Sequence, residues 1–446
     1  MTELKRDDEE GWKDDDFLAF VAPKASDDLS ESEEDEEEEE VVPKVDPSQL
    51  PPWMDHSVDI NQIHPLISLH NEIVDFVHLM EPMSEEIRQR EKLIQEVKDV
   101  VQSLFGTSAE VQVFGSQATG LLLPTSDIDI VIITQTKAEP VEADEEHTWE
   151  QSVSTPLRIF ADELQTTWIG RLSYLEAIEN TRIPLVKFTD KKSNISVDVS
   201  FDQPSGPPAA VLMKTYLDAM PVLRPLTFVL KYFLAARALN EPYSGGVGSF
   251  MLQLLIVAFL QHRERLAFNY RKHTVYNLGL LLVEFFKFYG LDFNYFTTVI
   301  SVRNDGFFFP KGERNEVFCD DGRTNLLALE NPLDPSSDVG KPSFRFQMVQ
   351  RAFALAYRTL MAHVTVPFEP TNSILGSILP VSDEMLSRKH IKKRDRPLSA
   401  KREGDPTARH TGGHSRGRDP VPRDFQSSNK KQYNGRSRSR DKRNHR

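Results

Sequence analysis

Phe114-Gly115-Ser116-Gln117-Ala118-Thr119-Gly120, followed by Leu121-Leu122-Leu123-Pro124-Thr125-Ser126 and then Asp127-Ile128-Asp129-Ile130-Val131-Ile132, decides the fold of this chain. From Val111 to Thr134 the pattern reads as strand, turn, strand. On the second strand, residues two apart face one side, so Asp127 and Asp129 project together while Ile128 and Ile130 enter a core. Adjacent carboxylates repel unless a cation sits between them, and hard oxygen ligands of this kind suit Mg2+ or Mn2+. Gly115 and Ser116, at the end of the first strand, offer backbone N–H groups and a hydroxyl in a tight turn that phosphate oxygens can approach.

A third carboxylate lies further along. In Ile195-Ser196-Val197-Asp198-Val199-Ser200-Phe201 the apolar residues alternate with polar ones, so Asp198 faces away from the buried Val197 and Val199. A lone Asp-x-Asp also occurs on ordinary surface strands. The ordered set of Gly-Ser, an Asp-x-Asp in an apolar strand about ten residues on, and a distant strand aspartate is far more specific.

Around this segment the periodicity predicts helices. Ile60 to Met80 is amphipathic, and a second helix starts at Ser84-Glu85-Glu86, with the serine as cap, and runs to about Phe105. Thr136 to Pro156 reads as an exposed acidic loop and Pro156 to Asn180 as helix. Two β-rich pieces, Pro184 to Phe188 and Ile195 to Phe201, follow. From Ala209 onward the reading is mostly helical, ending at Phe344 to Thr359, with Ser249 to Gln261 one of the helices.

At 446 residues, 39 % hydrophobic and 27 % charged, the chain has the material for two packed domains. Its longest apolar run, Met251 to Leu260, is too short for a membrane span, and no signal-peptide core is expected in the first thirty residues. Cys319 is the sole cysteine, which excludes an intrachain disulfide and a cysteine-based zinc site, and points to a reducing compartment. Charge is sharply divided. Residues 1–50 carry 20 Asp+Glu against 5 Lys+Arg, residues 387–446 carry 20 Lys+Arg against 6 Asp+Glu, and the body between is net acidic. Both ends are expected to be disordered. The basic one is read either as a solubilising appendage or as a nuclear-import and RNA-contacting tail.

Taken in order, the motifs resemble the DNA-polymerase-β-like nucleotidyltransferase superfamily, and within it the non-canonical poly(A) polymerases of the TRAMP type. The narrowing rests on Val113-Phe114-Gly115-Ser116, Leu123-Pro124-x-Ser126-Asp127-Ile128-Asp129, Phe228 to Leu234, Leu239-Asn240-Glu241-Pro242-Tyr243-Ser244-Gly245-Gly246-Val247-Gly248-Ser249-Phe250, Leu278 to Gly290, and Asn331 to Gly340. The resemblance implies an α+β fold: a nucleotidyltransferase palm with a mixed sheet plus a mostly helical central domain, flanked by disordered tails. It divides the chain into an acidic arm (1–50), an N-terminal helix packing on the central domain (51–81), the catalytic palm (82–205), the helical central domain with a nucleotide-recognition motif (206–380) and a basic tail (381–446). Asp127, Asp129 and Asp198 become the catalytic and metal-holding residues of a two-metal transfer, with nucleotide in the cleft between the domains.

For the nucleotide, Lys231 reads from sequence as either a snorkelling lysine or a phosphate contact; the resemblance selects phosphate. Ser249 opens a helix after Gly245, Gly246 and Gly248, and Phe250 can stack on a base. The resemblance adds Asn331 and Asp338 as nucleotide contacts. By the same resemblance, Ala209-Ala210, where uridylyl-transferring relatives carry polar groups, and the lack in Glu330 to Gly340 of the histidine those relatives place there, imply ATP rather than UTP as substrate. The implied activity is template-independent addition of AMP to RNA 3′ ends in the nucleus or nucleolus, marking RNAs for exosome processing or decay. The implied partners are a zinc-knuckle RNA-binding protein and an exosome-linked RNA helicase, and no membrane. The alternatives are a terminal uridylyltransferase, a small-molecule transferase of the same fold, and a catalytically weak scaffold that recruits partners through its charged tails.

Overall fold

The computed structural model describes residues 50–54, 64–134, 155–181, 183–203, 205–266, 277–312, 316–319, 324–365 and 373–395. All but the last residue of the acidic arm, residues 136–154 of the loop read at Thr136 to Pro156 and most of the basic tail fall outside them. Helices α1 (Pro65–Met80) and α2 (Ser84–Phe105) lead into strand β1 (Glu110–Phe114), a short helix α3 (Gly115–Thr119) and strand β2 (Ile128–Ile133). Then come α4 (Pro156–Thr167), β3 (Leu172–Ile178), β4 (Leu185–Asp190) and β5 (Ile195–Phe201). Helices α5 (Gly206–Ala219), α6 (Leu223–Ala235), α7 (Ser249–Leu266) and α8 (Leu278–Lys287) follow. Strands β6 (Thr298–Ser301), β7 (Phe307–Pro310), β8 (Ala328–Asn331) and β9 (Asp334–Asp338) precede α9 (Phe346–Thr365) and α10 (Asp383–Asp395). By Cα packing the chain divides between His390 and Ile391, and both cores described next lie in the first unit.

The first core belongs to a five-stranded mixed sheet in the order β1-β2-β5-β4-β3. β2 and β5 are parallel and the other pairs antiparallel. Ile128, Ile130 and Ile132 on β2 and Val197 and Val199 on β5 are fully buried against Val97 and Val101 of α2 and Phe160 and Leu164 of α4. The period-2 alternation thus sends the aspartates of these strands to the opposite face. The second core is helical: Ile73 and Phe76 of α1, Phe228 and Phe233 of α6, Leu254 and Leu255 of α7, Phe285 and Phe286 of α8 and Phe353 of α9 pack together. Glu72 is buried in this core, where its carboxylate accepts from Trp53 Nε1 (3.3 Å), Ile374 N (2.9 Å) and Ser373, so two distant segments are pinned to α1.

Six sequence readings are corrected. The Pro156 to Asn180 helix ends at Thr167, because Gly170 turns the chain with a φ of +74°, and β3 follows. The strand–turn–strand contains a short helix, α3, at its turn. The region after Ala209 is less helical than expected, since β6 to β9 form a four-stranded sheet, and Glu330 to Gly340, read as a loop, is the β8–β9 hairpin. α2 begins at Ser84, but its cap position is Met83, whose N–H is satisfied by Glu86 (2.7 Å) and not by the serine. The tail expected to be disordered from 381 instead starts with α10, where Met385 is buried and Arg388, 2 % exposed, donates to Leu79 O (3.0 Å) and Glu81 O (2.6 Å) and pairs with Glu86.

Candidate active site

Pairing of the strands lines up Phe114, Asp129, Asp198, Lys187 and Glu176 across all five strands, as successive partners in register. Residues opposite one another share a face, so Asp129, Asp198 and Lys187 form a row on the side away from the first core. Asp127 sits just ahead of β2. Gly115, with a φ of +61°, starts α3 beside it, and a Cβ there would lie 2.0 Å from Asp129 Oδ2. Only glycine leaves room for that carboxylate.

Electrostatics follow from this crowding. Burial first, and then the negative charges of Asp198 and Asp127, push the Asp129 carboxyl up to about 7. Asp198 is also raised, by burial and by Asp127, against the pull of Lys187. Its Oδ1 is buried without a hydrogen-bond partner. The Lys187 ammonium stands 3.3 Å from Asp127 Oδ2 and 3.2 Å from Asp198 Oδ1. Burial works against its charge, yet Asp198 and Asp127 outweigh that and raise its pKa. Among the described residues no three carboxylate, imidazole or thiol groups converge into a finished metal shell; the cation seated between Asp127 and Asp198 is this ammonium.

The stretch 120–126, which delivers Asp127, is fastened by three cations. Arg90 of α2, 2 % exposed, donates to Pro124 O (3.1 Å) and Ser126 O (2.6 Å). Arg224 of α6 donates to Gly120 O (2.6 Å), and Lys231 of α6 donates to Leu121 O (3.0 Å). Lys231 therefore joins the helical core to the aspartate-bearing loop. Burial holds its pKa down at about 8, against the pull of Asp129 and Asp127. Sequence reading missed Arg90, Arg224 and Lys187. Arg90 stands on the apolar stripe it shares with Leu93, Ile94 and Val97 of α2, and Lys187 alternates with the buried Val186 and Phe188, which were the available signals.

Other candidates sit elsewhere. Ser116 is buried in α3. Ser249 and the half-buried Phe250 open α7, with Gly248 against the Pro242 ring, where a Cβ would come within 2.8 Å. Asn331 and Asp338 belong to the β8–β9 hairpin and bond within it: Asn331 Nδ2 donates to Ser337 (3.1 Å), and Asp338 Oδ1 accepts from Leu329 N (2.9 Å) and Gly340 N (2.7 Å). Among the described residues, no hydrogen bond or ion pair joins Ser249, Asn331 or Asp338 to the aspartates.

The arrangement of carboxylates, glycine turn and interlobe lysine has relatives. Residues 69–218 match the family model "Poly(A) RNA polymerase, mitochondrial-like, central palm domain", and residues 277–337 match "Cid1 family poly A polymerase". The chain is 32 % identical over 337 residues to "Poly(A) RNA polymerase protein 1" of Saccharomyces cerevisiae, covering 74 % of this chain and 50 % of that protein. It is 32 % identical over 321 residues to the "Inactive non-canonical poly(A) RNA polymerase protein Trf4-2" of Drosophila melanogaster, covering 72 % of this chain and 74 % of that one. It spans half or less of the length of the first three curated relatives it matches. Among solved structures, the polymerase core of TRAMP, an RNA surveillance complex, superposes with a TM-score of 0.62 at 31 % identity, over 74 % of this chain and 99 % of that one. The Cid1 poly(U) polymerase shares the fold, with a TM-score of 0.54 at 20 % identity over 69 % of this chain and 98 % of that one.

Proposed function

The chain belongs to the non-canonical poly(A) RNA polymerase family, and from that premise we propose that it is an active RNA 3′-adenylyltransferase, adding AMP from ATP to RNA 3′ ends. Membership alone does not carry activity, since one relative is named inactive. What carries it is the presence of all three carboxylates, Asp129 and Asp198 paired on neighbouring strands and Asp127 just ahead of β2, beside Gly115, where any side chain would strike Asp129.

The cluster fits a divalent ion: its carboxylates crowd one another enough to raise Asp129 and Asp198, and Asp198 Oδ1 is buried without a hydrogen bond, facing the Lys187 ammonium at 3.2 Å. Asp127, Asp129 and Asp198 would hold Mg2+ or Mn2+, which when bound neutralises charge on the transferring phosphoryl group and activates the RNA 3′-hydroxyl. The chain's own groups do the rest. Gly115 and the buried Ser116 let phosphate oxygens approach the backbone at α3. Lys231, fixed between the lobes, offers its ammonium to the triphosphate. Asp198 is placed to help remove the hydroxyl proton, and its raised pKa suits a base. Phe250 supplies a stacking face for the adenine, while Ser249, Asn331 and Asp338 complete the nucleotide contacts.

The palm is assigned to 82–205 and the central domain to 206–380, with 51–81 packed on the latter. The TRAMP core is the polymerase of an RNA surveillance complex, and we extend a nuclear surveillance role to this chain. A zinc-knuckle RNA-binding protein and an exosome-linked helicase would supply the RNA surface that its acidic body lacks. The test is purified chain with Mg2+, single labelled nucleotides and an oligo(A)-ended RNA. AMP incorporation that disappears in Asp127→Asn with the fold intact is expected. No incorporation, or preferred UMP incorporation, overturns the reading.

A further inference from the structure

An ammonium group already occupies the place a cation would take between two of the carboxylates. Lys187 Nζ lies 3.3 Å from Asp127 Oδ2 and 3.2 Å from Asp198 Oδ1, and it comes from β4, the strand next to the one that carries Asp198. No second basic side chain among the described residues is paired with either aspartate. Without Lys187, Asp127 and Asp198 would lose their ion-pair partner, leaving only the longer-range pull of Lys231 on Asp127 and Asp129 and of Arg90 on Asp127, a costly arrangement so close to a core.

We propose that Lys187 is the built-in counter-cation of this cluster: it holds Asp127 and Asp198 in place before ion loading and competes with the divalent ion for the same oxygens. Ion binding then requires the ammonium to withdraw. The sheet supplies somewhere to withdraw to. Glu176 is the in-register partner of Lys187 on β3, on the same face and on the side away from Asp198. Its carboxylate is exposed, beside the Tyr174 hydroxyl. A four-carbon stem can swing from one neighbour to the other without backbone motion. The site therefore exchanges one cation for another and is never left as three bare carboxylates. The consequence is a lower intrinsic affinity for metal than the carboxylates alone would give, so loading depends on the further oxygens that a bound nucleoside triphosphate brings. This inference rests on the reading of Asp127, Asp129 and Asp198 as the ion's ligands.

The experiment is Mn2+ binding to the full chain without nucleotide, followed by the electron paramagnetic resonance of free Mn2+ at low salt. Lys187→Met should bind Mn2+ roughly tenfold more tightly than the parent, since a neighbouring positive charge no longer opposes the ion. Lys187→Arg, which keeps the charge, should stay near the parent. In EDTA the Met variant should melt below the parent, and saturating Mg2+ should close the gap. Should that variant fail to fold, the parent still answers: with lysines 13C-dimethylated, the resonance missing from Lys187→Arg should shift on adding Mg2+. Unchanged or weaker Mn2+ binding by the folded Met variant, or a Lys187 signal indifferent to Mg2+, overturns the proposal. AMP transfer by the parent is scored separately, so a failure of the enzyme reading is told apart from a failure of this one.

Discussion

Gly115 and Asp129 are in such close contact that the Cβ of any other residue at 115 would sit 2.0 Å from Asp129 Oδ2 and 2.8 Å from its Cγ. The positive φ of +61° at Gly115 adds backbone strain to any replacement. Gly115→Ala should therefore fold, with a stability loss of about 1–3 kcal/mol, while Asp129 is forced out of the row it shares with Asp198. AMP transfer should fall at least a hundredfold. Single-turnover kinetics beside a thermal melt check this, and an alanine variant of normal rate would mean that Asp129 is not needed where the structure puts it.

Phe250 stands half-buried at the start of α7. If its free face stacks on adenine, Phe250→Ala should raise the KM for ATP by the equivalent of about 1–3 kcal/mol. Phe250→Tyr should be close to neutral. Initial rates at varied ATP decide it, and an unchanged KM in a folded alanine variant removes Phe250 from the site.

Lys231 yields a pH prediction. Its pKa is held down at about 8 by burial, so the ammonium is intact below that pH and lost as the pH rises through it. The same shift makes the buried charge unfavourable to the fold below pH 8, so stability should improve slightly as the pH rises from about 8 towards the ordinary lysine range. If the ammonium receives the triphosphate, kcat/KM for ATP, which reports the free enzyme, should decline above about pH 8. Lys231→Arg, charged at every accessible pH, should lose that alkaline limb. A profile of the Arg variant that bends at the same pH as the parent would assign the limb to another group.

The aspartates were legible because strand alternation is local: Asp127, Asp129 and Asp198 each sit among residues whose burial the sequence already implies. The cations that organise them were not. Arg90 meets carbonyls 34 and 36 residues away, and Arg224 one 104 residues away. Those acceptors are backbone atoms and leave no mark on residue type. Strand β3 was missed although Gly170 marks the stop of α4, since the residues after it are apolar enough to continue a helical pattern. The β8–β9 hairpin was hidden by Pro332 and Pro335, which argue against a strand. Bonds within the hairpin hold it against that preference, chiefly those from Leu329 N and Gly340 N to Asp338.

That role for Asp338 can be separated from nucleotide recognition. Burial raises its carboxyl to about 6, although the two backbone N–H groups pull it down. A raised carboxyl holds its proton more tightly folded than unfolded, so this group's contribution to stability declines as the pH rises from about 4 to 6 and is constant above. Asp338→Asn keeps Oδ1 as acceptor without the charge. It should melt at or above the parent at pH 7 and show a shallower decline between pH 4 and 6. Asp338→Ala, leaving both N–H groups unpaired, should lose about 1–3 kcal/mol. If Asp338 also reads the base, the Asn variant should raise the KM for ATP without lowering the melting temperature. An alanine variant as stable as the parent would remove the structural role.

The basic C-terminal region is where the structure changes how its contribution to RNA binding must be tested. Deleting residues 387–446 would remove Arg388, which is buried and bonded to Leu79 O, Glu81 O and Glu86 at the junction of α1 and α2. Glu81 also receives Arg224, and Arg224 holds Gly120 O in the loop leading to Asp127. Such a truncation would disturb the active site and mimic a loss of RNA affinity. The cut belongs after Asp395, which still removes 15 Lys+Arg against 5 Asp+Glu. With the acidic body intact, that truncation should raise the KM for RNA and flatten its dependence on salt, because fewer counterions are released, and leave kcat unchanged. A basic zinc-knuckle partner should restore the lost affinity. If the segment serves only as an import signal, both proteins will give the same KM at every salt concentration, and fluorescence anisotropy on one adenylated RNA across a salt titration separates the two outcomes.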